Sequence, residues 1–290
     1  METETLSRGK EQAAGAAQAA PLLQIEGLGK WFGGVNAVAD FSLDLYPNDL
    51  VGLIGPNGAG KTTIFNLITG VYTPSKGRIL FQGESLVGLA PHEINHLGIA
   101  RTFQNIRLFS AMTVLDNVRT ACQAQAGYGL AEGLLRDQRF AAGERAVTAR
   151  ADELLEIFGL EERRAEPASS LPYGEQRRLE IARAMATGPA LLLLDEPAAG
   201  MNPHESAELM ALIHFIRERF GLTILLIEHQ MRVVMGICEQ ITVMDFGEVI
   251  ARGSPQEIQS NPRVIEAYLG RGVSAMVEKY QGRRNNHESA

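Results

Sequence analysis

What this chain of 290 residues has little of narrows its class first. It holds two cysteines, Cys122 and Cys238, with no close spacing that would build a disulfide framework or a metal site, so idle thiols in a reducing compartment are expected. No run reaches the ~18–20 apolar residues needed to span a bilayer. The first residues, with Glu2, Glu4, Arg8, Lys10 and Glu11 followed by an Ala/Gln/Gly stretch, lack the apolar core of a secretory signal. A basic excess is missing too. The formal net charge of −7 argues against a nucleic-acid binder, because neutralising phosphates needs a cationic face. No internal repeat is found. What is left has ordinary globular proportions and is expected in the cytosol, with residues 1–21 as a disordered tail and 272–290 as a polar one.

Against that plain background one stretch stands out: Gly55-Pro56-Asn57-Gly58-Ala59-Gly60-Lys61-Thr62-Thr63. It has the spacing G-x-x-x-x-G-K-[ST] of a phosphate-cradling loop. The apolar run Leu50–Ile54 before it reads as a buried parallel strand, and Ile64–Ile68 after it continues at helical spacing. Glycines let successive backbone N–H groups curl around a triphosphate, and the helix N-terminus adds positive potential. Lys61 is then placed for the β- and γ-phosphates and Thr62 for Mg²⁺. The stretch predicts binding of ATP or GTP.

The rest of the chain supplies candidate partners in order. Leu22–Ile25, Lys30–Phe32 and Ala37–Leu45 are strand candidates separated by glycines. Phe32 offers a flat surface for a base, with Trp31 as the competing aromatic. Arg78–Gly83 is a further strand, Pro91–Leu97 a short helix, and Gly98–Gln104 a strand that delivers Gln104 to its end. Val114–Ala165, rich in Ala, Leu, Glu and Arg, reads as a helical insertion with a solvated charged face. At Leu171-Pro172-Tyr173-Gly174-Glu175-Gln176 a helix begins that runs to Gly188, and its exposed N–H groups suit a phosphate. Ala190–Leu194 is an unbroken apolar run, hence a central strand, ending in Asp195-Glu196. Beside a phosphate loop, those carboxylates read as a water-mediated Mg²⁺ contact (Asp195) and a general base for the attacking water (Glu196). Thr223–Ile227 is a second buried strand, and it ends at Glu228-His229, the edge where parallel sheets place ligands. A hairpin around Phe246-Gly247 and a helix from Pro262 to Leu269 complete the order.

Taken together, these elements resemble the ATP-binding subunits of ABC transporters over about Leu22 to Gly270. The resemblance implies an α/β fold: a P-loop NTPase core of the ABC ATPase kind with an antiparallel β subdomain and a helical insertion. It places one ATP-binding domain at 22–271, with the helical subdomain at about 105–187. It further implies a head-to-tail pair in which Tyr173, Gly174 and Glu175 meet the γ-phosphate held by the partner subunit's phosphate loop. Phe32 would stack the adenine, Gln104 would sense Mg²⁺ and water, His229 would hold the γ-phosphate, and Ala199–Asn202 would cross the dimer interface. Two stretches depart from the family pattern: Pro172 and Tyr173 stand where Ser and Gly are usual, and Asn202 where Asp is usual. The stretches Gly98–Gln104, Tyr173–Arg183, Glu196–Pro203 and Ala267–Gly270 are similar to those of bacterial branched-chain amino acid importers, with urea importers and lipopolysaccharide exporters as close kin. Implied partners are membrane permease subunits, a second ATP-binding subunit and, indirectly, a solute-binding protein, with the chain peripheral on the inner face of the membrane and no nucleic acid bound. A soluble ATPase of the same fold is the rival of another class, but those chains usually carry two cassettes or a long coiled coil.

Overall fold

Apolar runs with no polar alternation, such as Leu191–Leu194, require a strand covered on both faces. The computed structural model, which describes residues 20–123 and 138–269, shows how that is done. β3 (Leu50–Ile54), β6 (Ile99–Arg101), β7 (Leu191–Asp195), β8 (Thr223–Ile227), β9 (Gln240–Asp245) and β10 (Glu248–Gly253) form one sheet in the order β10-β9-β3-β8-β7-β6. All neighbours are parallel except the β9–β10 hairpin. Successive side chains point to opposite faces, so odd and even residues enter different cores. Leu192, Leu194, Ile224 and Leu226 join one apolar cluster. Leu191, Leu193, Leu225 and Ile227 join the other.

The first cluster is completed by α3 (Val114–Cys122), α4 (Gln138–Ile157), α5 (Tyr173–Met185), α6 (Pro203–Phe220) and α7 (Met231–Ile237). The second is completed by α1 (Lys61–Ile68) and a smaller antiparallel sheet of order β2-β1-β4-β5. That sheet comprises β1 (Leu23–Phe32), β2 (Val35–Leu45), β4 (Lys76–Phe81) and β5 (Glu84–Ser85). The remaining helices are α2 (Pro91–His96), α8 (Pro255–Ser260) and α9 (Pro262–Leu269). None of the described helices is long and apolar enough to cross a membrane.

Two expectations are corrected by the backbone. Leu22–Ile25 and Lys30–Phe32 are not separate strands; β1 runs through Gly27 and Gly29, which it absorbs as irregularities in register. Glycine marks a bulge here instead of a break. The strand at Gly98–Gln104 is only Ile99–Arg101, so Gln104 lies on the loop beyond it. The charges of the insertion keep a largely solvated face and also pair there: Arg119 with Glu144 at 2.7 Å across α3 and α4, and Arg219 of α6 with Glu153 at 3.1 Å. Of the expected tails, residues 1–19 and 272–290 lie outside the described residues.

Candidate nucleotide site

Two glycines make the turn from β3 into α1 possible. Gly55 has φ 149° and Gly60, which caps α1, has φ 103°, conformations that disfavour a Cβ. Space forbids one as well, since a Cβ at Gly55 would lie 2.0 Å from the Met244 carbonyl oxygen and at Gly60 2.5 Å from that of Ala37. The loop is pinned to the β9–β10 hairpin, whose Gly247 N–H donates to Ala59 O at 3.0 Å. Asn57, Gly58 and Thr62 are exposed on it, Pro56 and Thr63 partly so. Lys61 is buried, and its ammonium donates to Gly55 O at 2.7 Å and Pro56 O at 3.0 Å. Burial lowers its pKa, opposed by the negative charges of Glu196 and Asp195.

The carboxylates arrive at the end of β7. Asp195 is buried, and its Oδ2 accepts from Arg101 Nη2 at 2.9 Å. Burial pushes its pKa up, while Arg101 pulls it back down. The other guanidinium nitrogen of Arg101 donates to Asn66 Oδ1 of α1 at 2.7 Å. The next residue, Glu196, adopts φ 48°, the left-handed region that a side-chain-bearing residue enters only under constraint. Its N–H still extends the sheet ladder, donating to Ile227 O at 2.8 Å. Gln104 Nε2 donates to Glu196 Oε2 at 2.9 Å, and His229 Nδ1 lies 3.4 Å from the same oxygen. Three loop ends, after β6, β7 and β8, therefore meet on one carboxylate oxygen.

The other predicted residues stand apart from that meeting point. Tyr173 Oη lies 3.3 Å from Arg177 Nη2, and its ring packs against Gly200. Gly174 faces the Glu205 carboxyl, and Glu175 pairs with Arg163 at 3.0 Å. Pro172 caps α5 without a side-chain hydrogen bond, leaving the first N–H groups of that helix to other partners. Phe32 is 41% and Trp31 40% exposed, and Phe32 has a ring behind it, that of Tyr72, edge-on at 5.1 Å.

Several residues were not assigned a role from sequence. Arg177 and Glu180 of α5 are fully buried and paired at 2.7 Å. Arg177 also donates to the carbonyls of Phe103 and Gln104 at 2.7 and 2.8 Å, and Glu180 accepts from the N–H groups of Phe103 and Arg107. The start of α5 and the loop that bears Gln104 are thus one hydrogen-bonded unit. Their only sequence signal is an i,i+3 Arg–Glu pair, which helices usually expose. Glu228 is fully buried as well; its signal was an acidic residue directly after a continuous apolar strand.

A cationic lysine within a glycine loop, two carboxylates at a parallel sheet edge and an amide and an imidazole on one of them make a site for a phosphoanhydride and its attacking water. Asp195, Gln104 and the Thr62 hydroxyl are hard oxygen donors, the type Mg²⁺ prefers. Among the described residues no cluster of His, Cys, Asp and Glu would cage a metal by itself. Fold and site define a phosphate-loop nucleoside triphosphatase.

Known proteins narrow this. The profile of the ABC transporter family matches residues 38–199, and that of the branched-chain amino acid ATP-binding cassette transporter family matches 248–274. The chain is 50% identical over 250 residues to the high-affinity branched-chain amino acid transport ATP-binding protein LivG of Escherichia coli K12, covering 86% of this chain and 98% of that one. BraF of Pseudomonas aeruginosa is 46% identical over the same shares. The lipopolysaccharide export ATP-binding protein LptB of Haemophilus influenzae is 34% identical, covering 86% and 97%. Among solved structures, the ADP conformation of MJ1267, an ATP-binding cassette of an ABC transporter, superposes with a TM-score of 0.76 at 31% identity, over 87% of this chain and 100% of that one. The chain belongs to the ABC transporter family, as one of its ATP-binding cassettes.

Proposed function

We propose that this chain is the ATP-hydrolysing subunit of an importer of branched-chain amino acids. The observation that carries hydrolysis is the convergence of Gln104 and His229 on Glu196 Oε2, at 2.9 and 3.4 Å, beside the Lys61 loop. The observation that carries the cargo is the 50% identity to LivG together with the matching C-terminal profile. Residues Gly55–Thr63 hold the phosphates, Lys61 by charge and the loop by its N–H groups. Phe32, backed by Tyr72, stacks the adenine. Glu196 takes the proton of the attacking water, Gln104 orients that water, and His229 donates to the γ-phosphate. Thr62, Asp195 and Gln104 hold Mg²⁺, which neutralises charge on the phosphate oxygens when bound.

The same reading supplies partners. Tyr173, which is exposed, and Gly174 and Glu175, which are partly exposed, close over the nucleotide of a second ATP-binding subunit, either another copy or a sister chain. A groove of about 530 Å³ lined by Arg107, Leu108, Phe109, Thr120 and Arg183 lies beside the glutamine loop and receives a permease subunit. The domain at 22–271, with its helical part at about 105–187, thus sits peripherally on the inner face of the membrane, and a solute-binding protein acts on the far side.

Glu196→Gln should reduce turnover by about two to three orders of magnitude while sparing ATP affinity, as loss of a positioned base does. Normal turnover would remove Glu196 from the base role. Purifying that variant with ATP from solubilised membranes should bring two permease subunits and a second ATP-binding subunit. Uptake of labelled leucine, dependent on Lys61, then decides the cargo; urea uptake or lipopolysaccharide-export partners would replace it, and ribosomes or DNA would end the transport reading.

A further inference from the structure

We propose that Glu228 is a positioning residue that locks the turn after Glu196 and the turn at His229 into a single unit, and so sets the base against the imidazole. β8 ends at Ile227, and Glu228 follows it fully buried. Its Oε1 accepts from the Ala198 N–H at 3.0 Å, two residues beyond Glu196. Its Oε2 accepts from the N–H groups of His229 and Gln230 at 3.1 and 3.3 Å. One side chain therefore organises the backbone on both sides of the Glu196–His229 contact. Gln230 adds a second tie, donating through Nε2 to Ala198 O at 3.3 Å.

Only a carboxylate suits this place. Both of its oxygens receive N–H donors, and an ionised carboxylate is acceptor at each oxygen. An amide of the same shape has a single acceptor oxygen. Whichever way it flips, its NH₂ group faces an N–H donor and one of the two turns is released. The turn at risk is strained: Glu196 sits at φ 48°, and such a conformation persists only where its surroundings over-determine it. Releasing Ala198 lets Glu196 relax away from Gln104 and His229, whereas Lys61 and the phosphate loop, on β3 and α1, keep their own hydrogen bonds.

This inference rests on Glu196 being the general base. Its test compares steady-state ATP hydrolysis by the full-length chain and its Glu228→Gln, Glu228→Asp and Glu196→Gln variants, with binding of a fluorescent ATP analogue measured in parallel. Glu228→Gln should lower kcat by about 10- to 100-fold, the scale of a small misplacement of a catalytic group, and leave KM and analogue affinity within about threefold. Glu228→Asp keeps the charge but is one methylene short, so it should fall in kcat as well. Wild-type turnover by either variant, with Glu196→Gln inactive, overturns the proposal. So does loss of analogue binding in step with kcat. If Glu196→Gln itself turns over normally, the base assignment fails and the positioning role fails with it. Should the Glu228 variants not fold, amide hydrogen exchange of the wild-type protein decides: protection at Ala198, His229 and Gln230 is expected, and exchange at solvent rate would overturn the proposal.

Discussion

Lys61 shows how much of a candidate binding residue is set by what surrounds it. The ammonium gives up water, which lowers its pKa, and recovers charge stabilisation from two backbone carbonyls and from the field of Asp195 and Glu196. Lys61→Ala should therefore weaken ATP binding itself, by at least about tenfold, in a direct titration. The cysteines illustrate the opposite case. Cys122 and Cys238 are buried, and burial with neighbouring Glu228 and Glu239 pushes the Cys238 thiol up to about 12. A thiol that is not ionised is not a nucleophile, so at pH 8 a thiol reagent should label neither cysteine in the folded protein and both after unfolding. At this scale the sequence was legible wherever a residue's neighbours in the chain are also its neighbours in space. Lys61 has Gly55 and Pro56 beside it in both senses. Arg101 and Glu228 were silent because Asp195 comes from another strand and Ala198 from the loop that follows it.

Helix α6 shows why a departure from the family pattern can be harmless. Asn202, where Asp is usual, is its N-cap: Oδ1 accepts from His204 N at 2.9 Å and Glu205 N at 3.0 Å, while the Asn202 N–H donates to Glu205 Oε2 at 2.9 Å. Asn and Asp cap helices about equally well. Asn202→Asp should leave the unfolding midpoint nearly unchanged, and Asn202→Ala should cost about 1 kcal/mol, measured by urea denaturation. The signal for this boundary is local, in Asn202, Pro203 and Glu205, but no helix was expected here. β1 was misjudged as well. Its glycines look like breaks until β2 and β4, pairing along both edges, carry the strand through them.

For the molecule as a whole, the seam that matters joins the helical layer to the sheet. Arg177 and Glu180 cross it, binding α5 to the loop that bears Gln104. Removing one member of a buried ion pair strands the other, at a cost of about 3–5 kcal/mol, while an apolar pair of similar volume can be nearly neutral. Arg177→Met should therefore destabilise strongly, and Arg177→Met with Glu180→Leu should recover much of the loss; urea denaturation of the set would show it. If the single variant matches the wild type, the seam lies elsewhere.

β3, the strand that carries the phosphate loop, pairs with β8 on one side and β9 on the other. Both belong to the last quarter of the chain, whereas the loop itself is complete by Thr63. On a ribosome the motif thus emerges early and waits, unable to hold its shape, until most of the protein has been made. The antiparallel strands β1, β2 and β4, all within the first third, can pair in the meantime. A product cut short before Thr223 carries the motif intact but lacks both strands that flank β3.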